Sequence, residues 1–484
     1  MSNLVGDLRY AIRGFIRRPG FTVVATVTLA LGIGANAAIF SAVRGVLIRP
    51  LPFRAPDRLV AFNAEQFIGN AELLYLREHA RMLGGVAAIS PGWGMALTGV
   101  GEATQLTTSR VSTNLLDVLG VRPMLGRTFQ EGESTPGREM VVILGHALWA
   151  ERFGSDPAIV GRSITLDGTP YTVVGVLPPS FEVLGRPADL WSPLVIDPTA
   201  WFHRGAISWF VGRLADGMHI EQSRAELRTL FPRMREAFEL APDYYRNVSL
   251  VPLQERTVGS VRTALLVLLA AVGFIVLIAG ANVGNLLLMR AAGRRREIAV
   301  RTALGATRRR VVSQMLVESV VLALGGATIG IALGSVGVRV LRATLPADTP
   351  RLAAITLDAP VLGVCVALAV ILGIVFGLAP AFLASRGDVQ DALRGSRAVA
   401  GRAGGERTRG TLVVAEVALT LVLVIGAGLM MRTLWSLSHV AAGFRSRTVL
   451  TLRIQPSGER YSTYAGQMEY VTTVLDRLAA LPGV

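Results

Sequence analysis

"RRREIAVRTALGATRRRVVSQMLVES" (residues 294–319) carries seven arginines within Arg294–Arg310, directly between two long apolar runs. What those runs are decides the fold. Five uncharged runs stand out along the chain, at Phe21–Val43, Thr263–Met289, Val320–Val338, Ala359–Ser385 and Val417–Met431. Most reach the ~20 residues, roughly 30 Å of helix, that cross a bilayer's hydrocarbon core. The last reaches it through Thr411–Glu416 if Glu416 sits near the interface. Only 17% of the 484 residues are charged, against about a quarter in soluble domains. The runs therefore read as five membrane spans. Arg9, Arg13, Arg17 and Arg18, with "ANA" at residues 35–37, imitate a signal peptide around the first run. The apolar core of such a peptide is only ~7–15 residues long, so a retained span is the better reading.

Composition also limits the chemistry. All 49 basic residues are arginine, so these residues contain no lysine for a Walker A loop or a Schiff base. If ATP powers the protein, its hydrolysis is expected on a separate subunit. Cys365 is the single cysteine, which excludes an intrachain disulfide. The net charge of +15 suggests nucleic acid until its distribution is examined. Residues 1–20, 290–310 and 386–410 hold 18 arginines against five acidic residues, and the remainder is nearly balanced. Threading through five spans puts these three segments on one side, and the positive-inside rule makes that side the cytoplasm. The expected topology has a cytoplasmic N-terminus, with residues 49–260, 342–358 and 436–484 outside and nucleic acid excluded as a partner.

The outer segment, residues 49–260, has the pattern of a mixed α/β domain. Strands are expected at "RLVAFN" (58–63), "MVVIL" (140–144) and "FVGRLA" (210–215), and "RSITLDGTPYTVVGVLP" (162–178) is a hairpin turning at Asp167-Gly168. Residues 220–240 have a helical pattern that Pro232 is expected to break or kink. No catalytic or metal constellation is visible. His79, His146, His203 and His219 are dispersed and read as packing or surface residues. Trp191, Trp201, Phe202, Trp209 and Phe210 either line a cleft or, the favoured reading, fill the core.

An internal repeat emerges beyond the fourth run. "FTVVATVTLAL" (21–31) lies on "TLVVAEVALTL" (411–421), and "FRAPDRLVAF" (53–62) resembles "FRSRTVLTL" (444–452). The second unit ends at "LAALPGV" before it rebuilds an outer domain, so the chain reads as one repeat and the truncated start of another. Two carboxylates sit at membrane edges. Glu318 lies in the third span and Glu416 in the fifth, where neighbouring arginines are expected to pair with them. Glycines in "GGATIGIALG" (325–334) permit close helix approach.

One span, a large outer domain and three further spans with a basic amphipathic stretch between the second and third resemble the MacB/FtsX-type ABC transporter permeases, in their duplicated form with two fused halves. The opening stretch is similar to that family's coupling segment. "VSTNLLDVLGVRPMLGRTF" (111–129), "VVILGHALWAERFGSDPAIVGRSITLDGTPYTVVGVLPPSF" (141–181) and "DLWSPL" (189–194) resemble its MacB-like core. The resemblance implies an α-helical membrane protein with this organisation: a basic N-terminus (1–20), a span (21–48), the core domain (49–260) and a three-span permease domain (261–386; spans 263–289, 313–339 and 359–385). A linker (387–410), a fifth span (411–435) and an incomplete second outer domain (436–484) follow.

It also implies a permease subunit of an ABC export system in the bacterial inner membrane, binding no cofactor itself and using ATP through a separate ATPase subunit. A second permease half or a second copy is a further expected partner, besides the bilayer. A non-transporting mechanotransmitter of FtsX type is the alternative. The docking segment is expected at Glu297, Ile298, Arg301, Leu304, Gly305 and Ala306, with Val300 and Ala303 adding to its apolar side and Gly305 ending the helix. Arg294, Arg295, Arg296, Arg308, Arg309 and Arg310 serve either as partner contacts or as topology signals.

Overall fold

Within a bilayer every backbone N–H and C=O must be satisfied inside the chain, so an uncharged run of span length becomes a helix. The computed structural model describes residues 2–63, 69–179, 181–195, 209–239, 248–294, 297, 300–301, 304, 307–346, 349–385, 402–439 and 464–481. Its helices, in chain order, are α1 (Ser2–Ile16), α2 (Pro19–Val43), α3 (Asn70–His79), α4 (Leu115–Leu119), α5 (His146–Phe153), α6 (Ile220–Ala237), α7 (Leu253–Gly293), α8 (Arg308–Thr344), α9 (Ala359–Ser385), α10 (Arg402–Ser438) and α11 (Tyr464–Ala479). Among the described residues, five helical stretches are long and apolar enough to cross a membrane: Pro19–Ile48, Leu253–Ala291, Arg308–Thr344, Ala359–Leu378 and Val413–Thr433. The fold class is the expected one, a five-span helical membrane protein with a mixed α/β domain.

The chain divides into two units. The membrane unit comprises Met1–Arg49, Val261–Ala347 and Arg351–Arg447. Its centre is the pair α2–α8, with α9 packed on α8. Glycines of α8 meet small residues of α2 along four-residue steps. A Cβ added at Gly326 would lie 2.7 Å from Leu29 Cβ, at Gly330 2.9 Å from the Ala30 carbonyl oxygen, and at Gly334 2.9 Å from Ala37 Cβ. Gly34 on α2 is equally tight, 2.8 Å from the Gly330 carbonyl. Ala25, Leu29, Ile33 and Ala37 complete the buried face of α2. At the far end of α2, Arg44 pairs with Asp358 before α9, and Arg351 donates to the Val46 carbonyl at 3.0 Å.

Two details go beyond the sequence reading. Within the basic N-terminus, Ser2–Ile16 forms α1. Residues 402–410, assigned to a linker, are helical and run on into the fifth span as α10. No glycine or proline signal for a break separates "RAGGERTRG" from the apolar run strongly enough to stop a helix that the span itself nucleates. Within the repeat, residues 444–452 lie outside the described residues.

The second unit comprises Pro50–Ser260, Asp348–Pro350 and Thr448–Val484. It is built on a mixed sheet of β1 (Leu59–Asn63), β2 (Leu83–Thr98), β3 (Thr104–Val111), β4 (Leu125–Gly126), β5 (Val141–Leu144), β6 (Ser163–Leu166), β7 (Thr169–Val176), β8 (Leu190–Pro193), β9 (Trp209–Leu214) and β10 (Ser249–Pro252). The strand order is β10-β1-β9-β2-β3-β8-β5-β7-β4, with β6 paired to β2 and β7. Most pairings are antiparallel, but β3–β8 and β5–β7 are parallel. The β6–β7 hairpin turns at Asp167 (φ 49°) and Gly168 (φ 79°), the two successive positive φ values a tight turn of this hand requires.

In α6, Pro232 does not end the helix. Leu227, Leu230, Phe231 and Met234 form one buried stripe packed with Leu73 and Leu76 of α3. Burying four such side chains, at about 1.5–3 kcal/mol each, outweighs the ~3 kcal/mol that an interior proline costs. Trp191 and Phe210 are core residues, and Trp209 stacks beneath the Arg186 guanidinium. Trp201, Phe202 and His203 lie outside the described residues. Of the other histidines, His79 stacks on Tyr75, and no group of possible metal ligands occurs among the described residues.

The glycine contacts generate a test. Gly330→Leu is expected to destabilise the membrane unit by about 1–3 kcal/mol through overpacking, read as a lowered thermal midpoint of the detergent-solubilised chain. Gly325→Leu, on the same helix with nothing within 4 Å of an added Cβ, is expected to leave that midpoint unchanged.

Candidate functional site

Where α7 ends and α8 begins, arginines and carboxylates from three parts of the chain converge. α7 gives way to a turn at Arg294, whose N–H reaches back to the Ala291 carbonyl at 3.2 Å. Leu304 N–H bonds the Val300 carbonyl at 3.0 Å, a helical turn. Thr307 then caps the start of α8 with extended backbone, its carbonyl accepting from Arg310 N–H at 2.9 Å. Glu297 therefore stands three residues after Arg294 and four before Arg301, the helical spacing at which opposite charges meet. Arg294 Nε lies 3.1 Å and Arg301 Nη2 2.7 Å from its carboxylate.

The third contributor is α1. Its Asp7 and Tyr10 face the arginines, and Ala11 is buried beside them. Tyr10 Oη donates to Glu297 Oε1 at 2.8 Å and accepts from Arg294 Nη2 at 2.8 Å and Arg301 Nη2 at 3.0 Å. One donor and two lone pairs are all a phenol has, so this hydroxyl is saturated. Both guanidinium groups also lie over the Tyr10 ring, at 5.6 and 5.1 Å. Asp7, only 4% exposed, takes a two-pronged bond from Arg310 at 2.7 and 2.5 Å. Arg301 Nη1 reaches Gln314 on α8 at 3.1 Å.

The deepest carboxylate is Glu318 on α8, 6% exposed. Arg294 Nη1 donates to both of its oxygens, at 3.0 and 3.2 Å, and Arg290 Nη2 stands 3.9 Å away. Arg290 itself lies over the rings of Phe21 and Phe15. Arg294 is thus the hinge pin of the cluster. Burial alone would lower its pKa, but hydrogen bonding to Glu297 and the charge of Glu318 raise it above the ordinary arginine value. Hydrogen bonding from Arg294 is also the chief reason the Glu297 carboxyl is held below its ordinary 4.5; partial burial opposes it, and Tyr10 and Arg301 add to the lowering.

Of the residues singled out in the sequence, the structure brings Arg294, Glu297, Arg301, Arg310 and Glu318 together. Leu304 and Val300 lie at the surface, Leu304 83% exposed, and Arg308 and Arg309 are exposed as well. Arg295, Arg296, Ile298, Ala303, Gly305 and Ala306 lie outside the described residues. Glu416 lies apart from this cluster. It is half-buried on α10, and no ion pair holds it among the described residues. Among the described residues α10 packs against little. Asp7, Tyr10 and Arg290 escaped the sequence reading. For Asp7 and Tyr10 the signal was present: Val5, Leu8, Ile12 and Ile16 recur at helical spacing and are the exposed apolar side of α1, which leaves Asp7, Tyr10 and Ala11 on the other.

Comparison with known proteins adds the following. A model of the MacB-like periplasmic core domain matches residues 22–230, and one of the FtsX-like permease C-terminal domain matches residues 269–389. The chain is 28% identical over 287 residues to the macrolide export ATP-binding/permease protein MacB of Burkholderia cenocepacia (strain HI2424), covering 59% of this chain and 40% of that protein. It is 29% identical over 278 residues to the pyoverdine export ATP-binding/permease protein PvdT of Pseudomonas syringae pv. tomato (strain ATCC BAA-871 / DC3000), covering 55% and 40%. The chain thus spans about 40% of the length of these curated relatives. Among solved structures, the periplasmic region of MacB from Actinobacillus actinomycetemcomitans aligns with a TM-score of 0.32 at 13% identity, over 46% of this chain and 97% of that one.

The depressed Glu297 has a pH consequence. A carboxyl whose folded pKa is lowered contributes stability that is present above its ordinary value and is lost as pH falls through the folded value. The gap in thermal midpoint between the wild type and Glu297→Gln is therefore expected to stay constant above about pH 5 and to close as the pH is taken below 4.5.

Proposed function

We propose that this chain, which belongs to the MacB/FtsX-type ABC transporter permeases, receives motion from a separate ATPase at the segment Glu297–Ala306 and passes it through its spans to the extracytoplasmic domain. An export permease of the inner membrane is the coarse assignment that the two matched domains and the multi-pass helices carry. The relatives named above combine ATP-binding and permease parts in one protein. The 484 residues here include no lysine and so no Walker A loop. Hydrolysis is accordingly placed on a partner ATPase outside these residues. The chain binds no nucleotide itself, and its arginine-rich ends face the cytoplasm, where that partner resides.

The observation that carries the reading is the convergence of Arg294, Glu297 and Arg301 on Tyr10. A docking segment is useful only if displacing it displaces the spans. Here Glu297 and Arg301 present one side to Tyr10, while Val300 and Leu304 leave apolar surface exposed for a partner. Movement of the segment pulls on α1 through Tyr10, and so on α2. It pulls on α8 through the Arg301–Gln314 and Arg294–Glu318 bonds. Since α2 and α8 touch at backbone distance along their glycines, the pair moves as a stiff unit. A rigid pair transmits displacement to the outer domain without losing it to side-chain rearrangement. A second copy of the chain, or a second permease half, is the partner that completes the transporter.

The test is capture of an ATPase subunit from the source organism by the detergent-solubilised chain. Wild type is expected to retain it, and the triple variant Glu297→Ala, Arg301→Ala, Leu304→Ala to lose at least ten-fold of the bound partner, about 1.4 kcal/mol or more of docking free energy. Equal capture by both, with the variant folded by its thermal midpoint, would place docking elsewhere.

A further inference from the structure

Two arginines of α7 and the turn that follows it stand beside one buried carboxylate, and one of them is left short. Arg290 and Arg294 are four residues apart, so they project to the same side of the helix. Glu318 accepts from Arg294 at 3.0 and 3.2 Å, whereas Arg290 Nη2, at 3.9 Å, is outside hydrogen-bond range. Nε and Nη1 of Arg290 are buried without an acceptor among the described residues. Its side chain is 10% exposed and lies over Phe21 at 4.9 Å and Phe15 at 5.5 Å. Native interiors seldom leave a guanidinium in that condition.

The space that separates the competing groups is a small cavity lined by Arg290, Arg294, Met315, Glu318, Ser319 and Gly377, among others. It offers about 20 Å³ of room, enough for a carboxylate to swing or for one water. An advance of roughly 1 Å brings the Glu318 carboxylate within bonding distance of Arg290.

We propose that Glu318 is an exchange carboxylate: it holds Arg294 while the docking segment is seated as in this structure, and passes to Arg290 when Arg294 is drawn away with that segment. Arg290 is then a positioning residue, the waiting donor to that carboxylate. The exchange rests on the reading of residues 297–306 as a moving segment, but its geometry belongs to the chain alone. Its value is that neither state leaves the buried carboxylate without a cation. A single salt bridge between Arg294 and Glu318 would have to break against an uncompensated charge, and the segment would be locked. With Arg290 four residues behind, the contact between α7 and α8 persists while the segment beyond Arg294 shifts. The unsatisfied N–H groups of Arg290 in the seated state lower the barrier by making the second state the better-bonded one for that side chain. Two discrete pairings of one carboxylate make a two-state element of the kind that carries coupling between distant sites.

The experiment uses the full chain in lipid nanodiscs with no ATPase present, so that failure of the docking reading and failure of the exchange are separable. Thermal midpoints are compared for Arg290→Gln, Arg294→Gln, the double variant and Glu318→Gln. If Arg290 takes over, Arg294→Gln costs less than Glu318→Gln, and the double variant loses more than the sum of the two single losses. Adding Glu318→Gln to the double variant then recovers part of that loss, because the unpaired buried charge is gone; this arm also decides the matter if the double variant folds poorly. Additive single losses, or no recovery in the triple variant, would overturn the proposal. A crystal structure of Arg294→Gln supplies a direct readout. Glu318 within hydrogen-bond distance of Arg290 Nε or an Nη is the expected result, and a carboxylate still directed at residue 294 overturns the exchange.

Discussion

Close approach of α2 and α8 is the constraint on which the rest of the membrane unit depends. Lipid tails are as apolar as leucine, so the hydrophobic effect does little to hold one span against another, and packing has to do it. Gly326, Gly330 and Gly334 bring the α8 backbone against Leu29, Ala30 and Ala37, with Gly34 returning the favour from α2. At these distances a single methyl group has no place to go. The pair cannot slide without lifting apart, which makes it a rigid centre around which α9, α1 and the end of α7 are arranged.

That rigidity gives the polar cluster its meaning. Buried charges are costly unless each is paired and hydrogen-bonded, and the arrangement around Arg294 meets that condition almost completely. Tyr10 spends its one donor on Glu297 and both lone pairs on arginines; Asp7 is gripped by Arg310; Glu318 is held twice by Arg294. Through these bonds α1, α8 and the segment around Glu297 form one polar joint at the arginine-rich end of the spans. Arginine suits the joint where lysine would not, because a planar fork can hold a carboxylate and a phenol at once while its face stacks on a ring. With no lysine among the 484 residues, arginine supplies every side-chain cation of the joint except histidine.

Much of this was legible before any coordinates. The five spans follow from run length, since 20 uncharged residues have few alternatives to a helix in a bilayer. The β6–β7 hairpin follows from Asp167-Gly168, because few dipeptides accept two positive φ values in succession. Glu297 and Arg301 stand out through the resemblance of their stretch to a coupling segment, and Glu318 as a charge within a span; the structure brings the three around Arg294 and Tyr10. Of the two effects expected of Pro232, the break does not occur, because the buried stripe of Leu227, Leu230, Phe231 and Met234 carries the helix through it. Glu416 has no ion pair among the described residues, where α10 packs against little.

Taken alone, the sequence determined what is periodic or locally steric: span length, charge bias at the span ends, turn chemistry, and the glycine row that permits close contact. Tertiary structure alone decided which groups meet across long separations. Tyr10 and Glu297 are 287 residues apart, and Asp7 and Arg310 are 303 apart. No local rule connects such pairs, because their proximity results from α1 and α8 being held against a common centre. The same is true of the competition between Arg290 and Arg294 for Glu318. Spacing sets the two arginines four residues apart, but only the placement of Glu318 beside the end of α7 leaves it 3.0 Å from Arg294 and 3.9 Å from Arg290.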